Sequence, residues 1–207
     1  MIELIKNFLL FRKIIKKNIL IKNWLYSLRK NSFLNENQEY LPWLNYNLVN
    51  FITERVKNKL FCVFEYGCGY STLFWSTFAE NVHSVENNKN WFEKIQKLII
   101  EKKIQNINLS HKENDDFINN IEIQNKKFEI ILIDSFARVK CIKKSINFLS
   151  ENGIIILDNS DRIIYKRGVN FLIRNNFKKI NFVGLSPNTF HLEKATIFYK
   201  ENNIFDL

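Results

Sequence analysis

Phe61-Cys-Val-Phe-Glu-Tyr-Gly-Cys-Gly-Tyr-Ser-Thr72 decides the fold. An apolar run reaches Glu65 and meets Gly67-x-Gly69, after which Ser71-Thr72 opens a helical pattern. The chain has only five glycines, and two of them stand here. Glycine allows the backbone angles of a tight strand-to-helix turn. It also lets a ligand approach the main chain closely at the positive end of a helix. A lone GxG is weak evidence, since turns use glycine freely. Its place at the first strand–helix junction of an alternating pattern gives it weight.

Outward from this stretch, short apolar runs alternate with helical periodicity. The runs are Leu60–Phe64, Val82–Val85, Ile107–Leu109, Phe128–Ile133 and Ile154–Leu157. Helical spacing fills roughly 72–80, 89–103, 115–123 and 138–150 between them, and residues 43–58 read as a helix after Pro42. Apolar strands separated by helices indicate a parallel sheet covered on both faces. After residue 163 the order changes. A helix near 165–175 precedes Lys179–Leu185, a loop with Pro187, and Ala195–Tyr199. Two strands joined without a helix can pair antiparallel. The expected fold is α/β: a Rossmann-like, seven-stranded, mostly parallel sheet with helices on both faces, a C-terminal antiparallel strand pair and N-terminal accessory helices. The expected organisation is a basic helical extension over residues 1–42 and a catalytic domain over 43–207.

The 207 residues carry 31 basic and 21 acidic side chains, for a net charge of +10. Residues 1–30 hold eight of the basic residues against one acidic, whereas residues 61–162 sum to −1. The excess therefore says nothing of the central span, and no nucleic-acid partner is expected. The N-terminal segment spaces Ile5, Leu9, Ile15, Ile19 and Leu25 among lysines and arginines. Its longest apolar run, Phe8–Phe11, is far too short to span a bilayer, and no signal-peptide cleavage site follows. Two readings stay open: a helix packed on the domain or on a second subunit in a homodimer, or peripheral association of residues 1–30 with an anionic membrane. Cys62, Cys68 and Cys141 are too few and scattered for a disulfide framework. A cytoplasmic setting, with residues 1–30 free to touch the inner membrane face, is the simplest expectation. The abundant asparagines read as compositional bias.

The second apolar run ends in Glu86, 17 residues after Gly69. A carboxylate at a strand tip can accept hydrogen bonds from both hydroxyls of a ribose. The nicotinamide fingerprint places a third glycine where this chain has Thr72, which disfavours an oxidoreductase. A non-enzymatic RNA- or membrane-binding scaffold is the other alternative. The ordered set Glu65-Tyr-Gly67-Cys-Gly69-Tyr followed by Glu86 resembles the class I S-adenosylmethionine-dependent methyltransferases over about residues 43–200. The resemblance implies S-adenosylmethionine as cofactor, held by Glu65, Gly67, Gly69, Ser71 and Thr72 at the loop and by Glu86 at the ribose. It also implies a polar residue after strand three facing the adenine, among Glu113, Asn114, Asp115 and Asp116.

Strand four ends in Asp134 and strand five in Asp158-Asn159-Ser-Asp161-Arg162. Ligands in open α/β sheets bind beyond the carboxyl ends of the strands. Several carboxylates gathered there repel one another, so stability alone does not favour the arrangement. Asp134 is counted with both the cofactor-binding and the catalytic residues. Asp134, Asp158 and Asn159 resemble the metal triad of catechol-type O-methyltransferases, which implies Mg²⁺ on hard oxygen ligands. The segment between the sites is short for that family, and Ser135, Phe136 and Ala137 fill the place of its lysine base. Without a metal, Asp134 or Asp158 is a candidate general base, and Arg138 or Arg162 a candidate anchor for an anionic substrate group. Asp158-Asn159 also suits a turn capping the next helix. The tetrapeptide of amino-group methyltransferases and a Pro-Cys pair are both absent. Leu157-Asp-Asn-Ser-Asp-Arg162 resembles small bacterial methyltransferases, which implies a hydroxyl acceptor of small-molecule or glycan type.

Overall fold

The computed structural model describes residues 3, 6–7, 9–10, 12–13, 18–35, 37–57 and 59–207. Ile5 and Ile15 of the expected N-terminal apolar face lie outside these residues. The helices are α1 (Ile19–Lys30), α2 (Tyr46–Val56), α3 (Tyr70–Trp75), α4 (Lys89–Glu101), α5 (Asn114–Ile123), α6 (Arg138–Ser145) and α7 (Lys166–Arg174). The strands are β1 (Cys62–Tyr66), β2 (Asn81–Glu86), β3 (Ile107–His111), β4 (Phe128–Ile133), β5 (Leu149–Leu157), β6 (Lys178–Leu185) and β7 (Leu192–Tyr199).

The seven strands run in the order β3-β2-β1-β4-β5-β7-β6. The first five are parallel, and β7 lies antiparallel between β5 and β6. Neighbouring residues on the central strands face opposite sides, as the two-residue period of a strand requires. Ile130 and Leu132 enter the core under α2 and α3 with Leu48, Ile52 and Trp75. Ile131 and Ile133 enter the core under α5, α6 and α7 with Phe117, Ile142 and Leu172. The near-continuous Ile/Leu runs of β4 and β5 thus follow from burial on both faces.

The expected fifth strand begins at Ile154, but β5 starts at Leu149. The β4–β5 register shifts between Phe128 and Ile130, and the polar Glu151 and Asn152 lie exposed in the irregular part of the strand. Polar residues in a bulge hide a strand from apolar patterning. The asparagines also have a local role. Asn18, Asn45 and Asn88 cap α1, α2 and α4 through their side-chain oxygens. Asn31, Asn114, Asn125, Asn159, Asn176 and Asn188 hold left-handed backbone, where this glycine-poor chain would otherwise need glycine. At the sheet edge, Asn45 Nδ2 donates to the Phe182 carbonyl at 3.3 Å and Asn47 Nδ2 to the Val183 carbonyl at 2.8 Å, tying α2 to β6. Helix α1 rests on the β6–β7 loop, where Trp24 Nε1 donates to the Thr189 carbonyl at 2.7 Å. Among the described residues no helix is long and apolar enough to cross a membrane.

Candidate functional site

The strand order reverses between β1 and β4, and a cleft opens there beyond the strand ends. The main chain joins the two tips: the Asp134 amide donates to the Tyr66 carbonyl at 3.0 Å. Gly67 has φ +97°, and a Cβ added there would collide with the Asp134 carbonyl. Glycine is therefore required at this turn by the protein itself. Gly69 differs. Its backbone is extended, and a Cβ would meet only ordinary contacts, Ser71 Oγ at 3.6 Å and Trp91 Nε1 at 3.8 Å.

The loop between the glycines is strapped on every side. Trp91 Nε1 donates to the Cys68 carbonyl at 2.5 Å, and the Gly69 amide donates to Thr72 Oγ1 at 2.9 Å. The Cys68 amide donates to Glu86 Oε2 at 2.9 Å, while the Asn87 and Asn88 amides donate to Glu86 Oε1 at 2.9 and 2.7 Å. Three backbone donors fix the Glu86 carboxylate in the cleft wall and leave it lone-pair capacity for a ligand.

Glu65 stands behind the loop and is fully buried. Ser71 Oγ donates to its Oε1 at 2.5 Å, while Ser84 Oγ, at 2.6 Å, and the Thr72 hydroxyl both donate to its Oε2. Burial pushes its carboxyl up to about 7 against the pull of these hydroxyls, and the nearby Asp134 adds to the rise. Glu65 and Thr72 thus brace the glycine loop rather than line the cleft, whereas Gly67, Gly69, Ser71 and Glu86 do line it. Glu113 and Asp116, expected near an adenine, are exposed at the start of α5 and lie outside the cleft lining.

On the opposite side Asp134, Asp158, Asn159 and Arg138 come together. Arg138 is buried from the first turn of α6. Its Nε donates to the Ser135 carbonyl at 2.8 Å, its Nη2 to Asp134 Oδ1 at 2.7 Å, and its Nη1 to the Asp158 carbonyl. The same Nη1 stands 3.9 Å from Asp158 Oδ2, and Tyr165 packs on the guanidinium at 5.0 Å. Asp158 Oδ1 has no hydrogen-bond partner among the described residues. Burial raises both carboxyls and lifts Asp158 well above the usual carboxylate range, with the neighbouring Asp134 charge adding to the rise despite the guanidinium.

The metal expectation draws on Asp134, Asp158 and Asn159, which the fold brings to one side of the cleft. The residues do not fit Mg²⁺, because a fixed guanidinium already bridges the two aspartates that would share the ion. Among the described residues, no group of three His, Cys, Asp or Glu could hold a metal. Asn159 takes left-handed backbone in a turn that Arg162 N closes on its carbonyl at 3.1 Å, and neither the short helical turn that follows nor α7 takes a side-chain cap. Arg138, expected as an anchor for substrate anions, has its donors committed within the protein. Arg162 lines the cleft and is exposed.

Sequence reasoning missed six residues of the cleft wall: Trp43, Cys68, Tyr70, Trp91, Ser135 and Glu193. Tyr70 and Trp91 pack edge to face at 6.2 Å beside the glycine loop. Trp91 follows the Asn88 cap closely, a position where an aromatic can reach back to the first loop. Glu193 enters from β7 with no signal beyond its place in an alternating strand. The N-terminal region also reaches the site: Phe33 stacks on Tyr70 at 4.8 Å and touches Trp43, which lines the cleft. The cleft encloses about 390 Å³.

Topology and switch-point cleft together are those of the class I S-adenosylmethionine-dependent methyltransferase fold. The solved structures similar to the chain carry that fold. A candidate O-methyltransferase from Klebsiella pneumoniae superposes with a TM-score of 0.62 at 14% identity, over 91% of this chain and 94% of that one. A candidate caffeoyl-CoA O-methyltransferase from Staphylococcus aureus gives 0.58 at 13% identity, over 95% and 99%. An rRNA methylase from Streptococcus thermophilus gives 0.58 at 13% identity, over 75% and 95%. No protein-family model and no curated protein matches the sequence.

Proposed function

We propose that this chain is an S-adenosylmethionine-dependent methyltransferase acting on a hydroxyl of a small-molecule or glycan-type acceptor, without a metal ion. One observation carries the reading. The Glu86 carboxylate is held by three amides in the wall of a cleft at the β1/β4 switch point, beside a glycine whose Cβ the fold does not forbid. A glycine kept where the protein leaves room suits a ligand's close approach.

When bound, S-adenosylmethionine supplies a methyl group on a positively charged sulfur. Glu86 would accept the ribose hydroxyls, and the Gly67–Gly69 loop would seat the amino-acid end. Asp134 is the more open of the two aspartates, its side chain 29% exposed against 5% for Asp158. It would take the acceptor's proton while Arg138 fixes its orientation. The acceptor oxygen, methyl carbon and leaving sulfur must lie in line, and holding that alignment supplies much of the rate. The cleft wall carries Glu86, Asp134, Asp158 and Glu193 against two arginines, which opposes a polyanionic acceptor such as RNA. Calorimetry with S-adenosylhomocysteine tests the reading. Micromolar binding is expected, and no binding to well-folded protein overturns it.

A further inference from the structure

Large apolar side chains stand exposed in the loops next to the cleft. Ile163 and Ile164 follow Arg162 of the cleft wall directly, and Ile163 is 83% exposed. In the loop before β7, which leads to Glu193 of the same wall, Phe190 is 81% exposed, while Leu192 turns to a separate hollow beside Trp24 and Val183. Trp43 lines the cleft and is itself half exposed. The two loops lie side by side, since the Ser160 amide donates to the Lys194 carbonyl at 2.9 Å. Single exposed apolar residues are ordinary, but several around one opening mark an interaction surface.

Charge indicates what that surface meets. Arg162, Lys166 and Arg167 are exposed beside the isoleucines, with Asp161 the acidic residue among them. On the other side, α1 packs on the Phe190 loop: the Trp24 ring lies 6.4 Å from Phe190, and the Asn188 amide donates to Ser27 Oγ at 3.0 Å. The chain entering α1 together with α1 itself, residues 1–30, holds seven of the ten net positive charges. Its described residues include Lys6 and Lys13 together with Leu9 and Leu10, all helical and exposed. Apolar side chains ringed by lysine and arginine suit an anionic bilayer, where apolar insertion and attraction to lipid headgroups act together.

We infer that the cleft mouth docks on an anionic membrane surface through Ile163, Ile164 and Phe190, flanked by the basic N-terminal segment. Resting on the methyltransferase reading, the acceptor is then a hydroxyl on a lipid-anchored molecule, presented to the cleft from the bilayer.

Sedimentation of the full chain with vesicles tests this, using phosphatidylglycerol mixed with phosphatidylcholine against phosphatidylcholine alone. Binding to the anionic vesicles is expected, weakening as salt rises. The exposed triple substitution Ile163→Ser, Ile164→Ser, Phe190→Ser is expected to lower the partition by about tenfold or more. Lys6→Glu with Lys13→Glu is expected to lower it and to make what remains less sensitive to salt. Absence of binding at low salt overturns the proposal. So does binding that the serine substitutions leave unchanged, because the mouth is then not engaged. A homodimer in solution that those substitutions dissociate also overturns it, since the patch is then covered by a second copy. Binding of S-adenosylhomocysteine by calorimetry separates the two readings. Its loss refutes the methyltransferase and leaves the docking standing, whereas lost docking with binding intact refutes the docking alone.

Discussion

A side chain on Gly67 would run into the carbonyl of Asp134, so the tip of β1 and the tip of β4 touch with no room between them. The φ of +97° adds strain for any residue with a Cβ. Gly67→Ala is expected to cost about 2–4 kcal/mol or to abolish folding, read by urea denaturation. Gly69→Ala is the informative counterpart. It should stay within about 1 kcal/mol of wild type, yet lose tenfold or more in affinity for S-adenosylhomocysteine. Normal affinity in a stable Gly69→Ala protein would show that no ligand approaches this loop.

Glu86→Ala removes the acceptor of three amides and the proposed ribose partner. Calorimetry should show S-adenosylhomocysteine binding weakened by about ten- to a hundredfold, as losing a charged hydrogen-bond acceptor costs about 1.5–3 kcal/mol. Circular dichroism should stay unchanged. An affinity equal to wild type would remove Glu86 from the site.

Burial holds the Glu65 carboxyl at about 7, above its ordinary 4.5. The folded chain therefore keeps a proton that the unfolded chain has released. Stability from this group is full below pH 4.5, falls as pH rises toward 7, and is level above. Glu65→Gln lacks the titration. Its denaturation free energy should gain on wild type by up to about 3 kcal/mol between pH 5 and pH 8, whatever constant offset the substitution brings. A gap that does not move with pH would contradict the raised carboxyl.

Arg138 holds two aspartates that repel each other, Asp158 buried and Asp134 half-buried. Arg138→Met leaves them without a counter-charge, which should cost about 3–5 kcal/mol at pH 8. The cost should shrink at pH 5, because the raised carboxyls then take up protons. Differential scanning fluorimetry at the two pH values reads this directly.

The same guanidinium makes a prediction about ions. Neither millimolar MgCl₂ nor EDTA should move the melting temperature of the wild-type protein by more than about 1 °C, since a site-specific ligand stabilises by mass action. A saturable Mg²⁺ shift that vanishes in Asp134→Asn would show that the ion displaces Arg138.

Much of this architecture is written locally. The runs ending at Glu65, Glu86, Asp134 and Asp158 are buried on both faces, so their strand character and their common edge can be read from apolar length alone. The glycine pair marks its own turn. Less legible were contacts whose meaning depends on distant partners. Glu65 reads as a cofactor ligand until Ser84 is seen on the far side of it. Arg138 reads as a free anchor until β5 places the Asp158 carbonyl beneath its guanidinium. Glu193 becomes a site residue only because β7 inserts between β5 and β6, which no local pattern encodes. Asparagine reads as bias because its two uses, capping helices and accepting left-handed backbone, leave no periodic trace.

The tie between α2 and β6 has a consequence for the protein's company. An outer strand is a template on which another chain can add itself, and natural sheets guard against this. Here Asn45 and Asn47 occupy backbone acceptors midway along β6, and Lys178 and Lys179 set charge at its start. The two side-chain amides thus act as a stop on lateral growth and help keep a strand-rich, isoleucine-rich chain from polymerising through its own edge.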